Sequence, residues 1–412
     1  MHIQLQDIPL AFALIGLALY SVLGGADFGA GVWTLTAGPG AAGRRIRDHA
    51  HHSMGPVWEA NHVWLIFVLT VMWTAYPTAL ASIASTLSVA LLVAGLGIIV
   101  RGAAYALRAG TKTQREERAV DTLTGLSSIL TPFALGAAVG GIASRRVPVG
   151  NAAGSLISSW LNPTSILIGG LAVASSAYLA AVYLAADAAR HGDAALERSF
   201  RTRALMAGVL AGAIALGGLL VVHGDAHPLY HGLTHAGLPA VIVSAIAGLG
   251  TFTLVWSARL QAARYTAAIA VGAIIAGWAL AQQPILLPGL TIAQAAAPRD
   301  TLIAITVAIV AGGAILAPSL ALLFNLALTG QLDHDPGAAA PAPARVGDVL
   351  SAAVPGLLLR VSGASLLIAL TFLTAADAQW AHIIGVSAIL VFVVTGFFAA
   401  TPEEVASAPL RE

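Results

Sequence analysis

Long apolar runs recur along this chain at near-regular intervals, and the short segments between them hold most of its charge. About 20 apolar residues in a helix cover the hydrocarbon core of a bilayer. Nine stretches in the first 330 residues are that long: roughly 9–36, 57–76, 79–108, 120–144, 163–187, 203–222, 238–257, 265–284 and 301–328. Backbone inside lipid must satisfy its own hydrogen bonds, and these runs do not alternate as barrel strands do, so they predict helices. Charged residues make up only 9% of the chain, and mean hydropathy is +0.85. A soluble domain carries about 25% charged residues, so this chain has too little polar surface to face water all round.

The expected fold class is an all-α polytopic membrane protein. Residues 1–330 form its membrane domain, 331–348 a Pro/Ala-rich linker (QLDHDPGAAAPAPARVGD), and 349–412 an extension with two further spans near 357–376 and 383–400. The N-terminal MHIQLQDIPL has no basic segment and no Ala-x-Ala cleavage site, so the first span is expected to remain in the mature protein. The chain has no cysteine, which excludes disulfides, thiolate metal sites and cysteine nucleophiles. A net charge of +1 gives no reason to expect nucleic acid. With the N-terminus outside, thirteen Arg and Lys fall in inside segments, among them Arg44, Arg47, Arg108, Arg118, Arg190, Arg203 and Arg264. Only Arg145, Arg146 and Arg299 fall outside, as the positive-inside bias requires.

Few ionisable residues lie within the spans, and each costs on the order of 3 kcal/mol at mid-bilayer unless it faces protein or water. Asp27 lies in the first, in the stretch GGADFGAG, whose small residues let a neighbouring helix come close. Arg101, near the inner end of the third span, is its candidate partner in a structural ion pair. Glu59 and His62 open the second span in GPVWEANHVW, on one helical face and flanked by Trp58 and Trp64. Two readings of Glu59 stand: a carboxylate favoured by a helix N-terminus, or a proton carrier titrating with His62 near neutral pH. In the fourth span Asp121, Thr124, Ser128 and Thr131 share a face at spacings of 3, 4 and 3. Such hydroxyls can hold a file of waters, or simply bond back to helix carbonyls. Pro132 is expected to kink that helix.

Metal sites are not expected. Glu59 and His62 have E-x-x-H spacing, but a di-iron bundle needs a second such pair and two more inward glutamates, and the remaining glutamates lie in loops or the tail. HGDAHPLYHGLTH spaces His223, His227, His231 and His235 four apart, yet Pro228 and Gly232 interrupt it, so it is expected to be a histidine-rich surface loop. DHAHH, 48–52, reads as a solvated basic loop in which His52 could help admit protons. His62 has no facing mid-span ligand for haem.

Asp27 in GADFGAG, GPVWEANHVWL with Ala75-Tyr76-Pro77 closing the second span, VRGAAYALR (100–108), TPFALGAAVGG and QQPILLPGLTIAQAAAP (282–298) together resemble subunit II of the cytochrome bd-type quinol oxidases over about residues 8–330. The resemblance implies two four-helix bundles plus one peripheral helix, matching nine spans, with the extension adding two. It implies a prokaryotic plasma-membrane complex that oxidises quinol and reduces oxygen to water. Haems b and d would be carried by a partner subunit I, and this chain would bind no cofactor. A small single-span subunit and lipid are further expected partners. Trp58 and Glu59 match the family's Trp-Asp/Glu pair, and Asp27 its first-span aspartate. Where the family more often has an acidic residue, this chain has His62 and Ala106.

The expected function is thus support of assembly and delivery of cytosolic protons, with no catalytic residue in this subunit. Glu59 leads, and Trp58, His62, Asp27, Asp121, Thr124, Ser128 and Thr131 are further pathway residues. A secondary transporter and a non-catalytic scaffold of a divergent complex are the alternatives. A transporter should place its charges near mid-bilayer, whereas here they cluster toward the inner side.

Overall fold

The computed structural model describes residues 4–108, 110–111, 113–328, 357–374 and 379–400. They divide into two compact units, one within 1–331 and one within 332–412. The first comprises α1 (Asp7–Leu35), α2 (Gly40–Ala75), α3 (Pro77–Thr86), α4 (Ser88–Arg108), α5 (Gln114–Ala143), α6 (Pro163–Arg190), α7 (Ala194–Asp225), α8 (His227–Thr234), α9 (Leu238–Trp256), α10 (Leu260–Gln282), β1 (Ile285–Leu287), β2 (Leu290–Thr291), α11 (Ile292–Ala295) and α12 (Arg299–Leu328). The second comprises α13 (Leu357–Thr374) and α14 (Gln379–Ala400). Among the described residues eight helices are long and apolar enough to cross a membrane, and α2 adds the shorter apolar stretch Asn61–Ala75. Each of the nine expected spans has its helix.

Packing centres on α6. Residues 177–186 of this helix are buried on every side, as befits a helix apolar all round. It packs against α1, α5, α7 and α10; α1 also packs against α2 and α5, α4 against α5, and α9 against α10. Apart from α6, α1, α2, α4 and α5 pack among themselves and α7, α9 and α10 among themselves; α1 also touches α10, and α12 touches α1 and α2. Two glycines make the close approaches feasible. A Cβ on Gly29 would lie 1.8 Å from the Ser176 carbonyl oxygen of α6, and one on Gly31 would lie 2.0 Å from Ser128 Oγ of α5. In the second unit α13 and α14 pack together, with Ser362 Oγ donating to the Phe392 carbonyl at 3.3 Å and Ala369, Ala381 and Ala388 buried between them.

Three segments depart from the sequence-based picture. The segment 40–56, expected as a basic loop holding DHAHH, is the first half of the 36-residue helix α2. Gly43, Ile46, Ala50 and Met54 are buried at spacings of 3, 4 and 4, an amphipathic stripe that needs no long apolar run. HGDAHPLYHGLTH is also largely helical, running from the end of α7 into α8, with Pro228 in the first turn of α8, where a missing N–H costs nothing. His223 and His227 stand 5.6 Å apart by ring centroids, and His231 and His235 stack at 3.9 Å. After α10 the chain makes a small antiparallel hairpin, β1–β2, turning at Gly289 with φ of +78°. Ala297 N–H then donates to the Ala75 carbonyl at 2.8 Å, fastening this connection to the end of α2.

Candidate functional site

Asp27 is buried among the glycines of α1, where a lone carboxylate would be strongly disfavoured. Arg101 of α4 meets it along one edge of its guanidinium: Nη2 lies 2.5 Å from Oδ1, and Nε donates to Oδ2 at 3.0 Å. Nη2 also donates to the Asp27 main-chain carbonyl at 2.7 Å, and Nη1 donates to Ser128 Oγ of α5. Asn61 of α2 supplies a fourth element, its Nδ2 donating to Asp27 Oδ2 at 3.2 Å. The Phe28 ring lies 5.3 Å from the guanidinium carbon. Four helices therefore converge on one ion pair, whose buried lone pairs and protons are largely satisfied.

A second polar layer lies toward the arginine-rich ends of the helices. Asp121, at the start of the apolar part of α5, receives Arg108 Nη1 on Oδ1, and Arg108 Nη2 donates to Asp48 at 3.0 Å. Arg47 Nε stands 3.1 Å from Asp121 Oδ2, but off the line of a directed hydrogen bond, so that oxygen is held by charge alone. Between the layers is a cavity of about 30 Å³ lined by Asp27, Thr34, His51, Arg101, Tyr105 and Thr124, among others. That is room for a water or two. His51, in the part of α2 before its apolar stretch, stacks obliquely on Tyr105 with centroids 4.8 Å apart. Burial, reinforced by the Arg108 charge, pushes its imidazole down to about 4.

The first half of α2 also straps the two helix groups together. Arg47 and Asp48 engage α5 and α4, while Arg45 pairs with Asp193 at 2.6 Å, His49 Nε2 lies 3.0 Å from the Leu184 carbonyl, and Ser53 Oγ donates to Asp187 at 2.5 Å. Asp193 begins α7, accepting from the N–H groups of Ala195 and Leu196. The Leu196 N–H, with Arg45, holds its carboxyl below the usual range.

The sequence-derived residues thus separate. Asp27, Arg101 and Ser128 meet directly, with Thr124 on the adjoining cavity; Asp121 belongs to the second layer. Ser128 Oγ donates to the Thr124 carbonyl at 2.5 Å, the back-bonding alternative to a water file. Thr131 is fully buried against Gly97, its hydroxyl without a partner among the described atoms. α5 continues through Pro132. His62 is half-buried on α2, next to Asn61, and does not line the cavity. Trp58 and Glu59 lie on the α2 backbone, and their side chains are outside the described residues. Sequence reasoning missed Asn61, Arg47, Asp48, His51, Tyr105 and Arg108 as site residues. Among the described residues no group of three His, Asp or Glu could hold a metal ion.

Residues 5–327 match the family model described as cytochrome bd terminal oxidase subunit II. The chain belongs to that family. A Bacillus subtilis (strain 168) protein described as a putative cytochrome bd menaquinol oxidase subunit II is 25% identical over 247 residues, covering 57% of this chain and 68% of its own. Cytochrome bd-I ubiquinol oxidase subunit 2 of Escherichia coli (strain K12) is 28% identical over 131 residues, covering 31% of this chain and 34% of its own. The bd oxidase structure from Geobacillus thermodenitrificans superposes with a TM-score of 0.67 at 23% identity, over 79% of this chain and 99% of that one, a likeness of fold. As a subunit II, the chain is a membrane component of an oxidoreductase complex and implies a subunit I partner. The matched region ends before the linker, so α13 and α14 lie outside it.

Proposed function

We propose that this subunit II serves a quinol-oxidising, oxygen-reducing complex by bracing its partner and admitting protons from the cytosolic side. In that assembly the N-terminus lies outside, haems b and d reside on subunit I, and quinol is the complex's electron donor. A small single-span subunit and lipid complete the surroundings. Oxygen reduction consumes protons that apolar helices exclude, and an inlet resolves the conflict.

The observation that carries this reading is the cavity between two buried charged layers at the arginine-rich end. The cavity is lined by Asp27 and Arg101 on one side and by His51 and Arg108 on the other, so a water held there would bridge them. Glu59 leads the pathway on its motif and its place on α2, two residues before Asn61, whose amide holds Asp27. His62, Trp58, Asp121, Thr124 and Ser128 stand as supporting members, while Thr131, whose buried hydroxyl has no partner among the described atoms, is left off the route.

The fully partnered Asp27–Arg101 pair also favours a bracing role for that pair itself, since a satisfied buried salt bridge is a poor proton carrier. The test is E59Q in the purified complex. The expected result is slower quinol-dependent oxygen consumption with the haem spectrum unchanged. Loss of the haem spectrum together with activity would assign Glu59 to assembly, and wild-type turnover would remove it from the proton route.

A further inference from the structure

Among the groups around the cavity, His51 has one property the others lack: it can accept a proton on one ring nitrogen while releasing another from the opposite one. Tyr105 lies against its ring, Arg108 and Arg101 face it from α4, and Asp48 and His52 flank it on α2. Asp27 lies across the cavity on α1, with Thr124 on α5. Asp48, one turn back along α2, is solvent-exposed and holds Arg108. The imidazole therefore lines a space of one or two waters and lies one helical turn from an exposed carboxylate.

We infer that His51 is the relay that hands protons from the cytosolic face into the cavity above the Asp27–Arg101 pair. A proton arriving from the Asp48 side bonds to one ring nitrogen of the neutral imidazole. The N–H on the other nitrogen breaks as its proton passes to cavity water, and tautomer exchange resets the ring. Charge and protons balance, and no electron moves. Burial, reinforced by the Arg108 charge, keeps the imidazole from storing the proton, so it passes charge on. The helical placement of residues 48–54 turns His51 inward to this space, a position that a basic loop would not have fixed.

The relay rests on the proton-uptake reading above, and its test separates the two. H51Q and H51A are made in the complete complex, with the reduced-minus-oxidised haem spectrum as the control for assembly. Turnover is expected to fall about tenfold or more in both, within the usual range for loss of a proton-transfer group. Added imidazole should restore H51A but not H51Q, which a merely structural side chain would not do. If H51A assembles poorly, H51Q with an intact haem spectrum carries the rate comparison. Wild-type turnover in H51Q, or no recovery of an assembled H51A with imidazole, overturns the relay. If E59Q slows the complex while H51Q does not, the relay fails and proton uptake through this subunit stands. If E59Q, H51Q and D121N all run at the wild-type rate, the uptake reading itself fails.

Discussion

Arg101 and Asp27 meet in a two-pronged ion pair inside the helix bundle, with Nη2 at 2.5 Å from Oδ1 and Nε at 3.0 Å from Oδ2. Both side chains are almost wholly withdrawn from solvent. Asp27, Asn61, Arg101 and Ser128 come from four helices, so the pair fixes where α1, α2, α4 and α5 stand relative to one another.

Removing one partner strands the other. R101M is expected to destabilise the subunit by about 3–5 kcal/mol, because Asp27 would remain buried without its counter-charge. The double variant D27N/R101M should regain much of that loss, since no lone charge remains. Thermal unfolding of the detergent-purified complex, followed with its haem content, measures both. Equal damage in the single and double variants would show that geometry, not charge, is what the site requires.

The contact of α1 with α6 gives a sharper steric prediction. A methyl on Gly29 would sit 1.8 Å from the Ser176 carbonyl oxygen, which is backbone and has no rotamer to yield. G29A should therefore part the two helices and sharply reduce recovery of assembled complex. On α4, a methyl on Gly95 would meet nothing within 4 Å, so G95A should be near neutral or slightly stabilising through better helix propensity. Yield of haem-loaded complex from matched membranes distinguishes them, and equal yields would contradict the close packing.

How much of this was legible in the sequence depends on which signal carried it. The spans were legible because a run of 20 apolar residues leaves the chain little choice. The burial of Asp27 among small residues, and a partner for it at the same depth, were readable from GGADFGAG and the position of Arg101. The second charged layer was not. Arg47, Asp48 and His51 lie in a segment with no long apolar run, and their inward placement follows from the Gly43-Ile46-Ala50-Met54 stripe, which a search for spans passes over. Arg108 was visible as the end of the VRGAAYALR motif and as one more positive charge in an inside segment, without its partners, and Asn61 only as a letter between Glu59 and His62. Which of the four polar residues on α5 meets Arg101 depends on how α4 and α5 rotate against each other, and spacing alone does not contain that.

Asp193 offers a pH signature outside the spans. Its carboxyl is held below the ordinary range, chiefly by the Leu196 N–H and also by Arg45. A group depressed in the folded state stabilises fully above its unfolded value, about 3.9, and loses that contribution as pH falls through the folded one. D193A should thus be less stable than the wild type at pH 7, and the gap should narrow as pH drops below about 4. Melting temperatures across that range test the sign. A gap that widens toward acid would mean that the carboxylate is not favoured where it begins α7.

Thr131 separates two uses of the hydroxyls on α5. Its side chain is fully buried and its oxygen has no hydrogen-bond partner among the described atoms, while Ser128, one turn earlier, bonds to both Arg101 and the Thr124 carbonyl. A buried hydroxyl without a partner carries a desolvation penalty of about 1–3 kcal/mol. T131V keeps the branched shape against Gly97 and removes that penalty, so it should leave stability unchanged or raise it, with turnover at the wild-type level. S128A, by contrast, takes an acceptor from Arg101 and should destabilise. Oxygen consumption and thermal unfolding of the two variants decide the matter: slowed turnover in a stable, haem-replete T131V complex would mean that this hydroxyl holds a water on the proton route, and the file of waters along α5 would extend past Ser128.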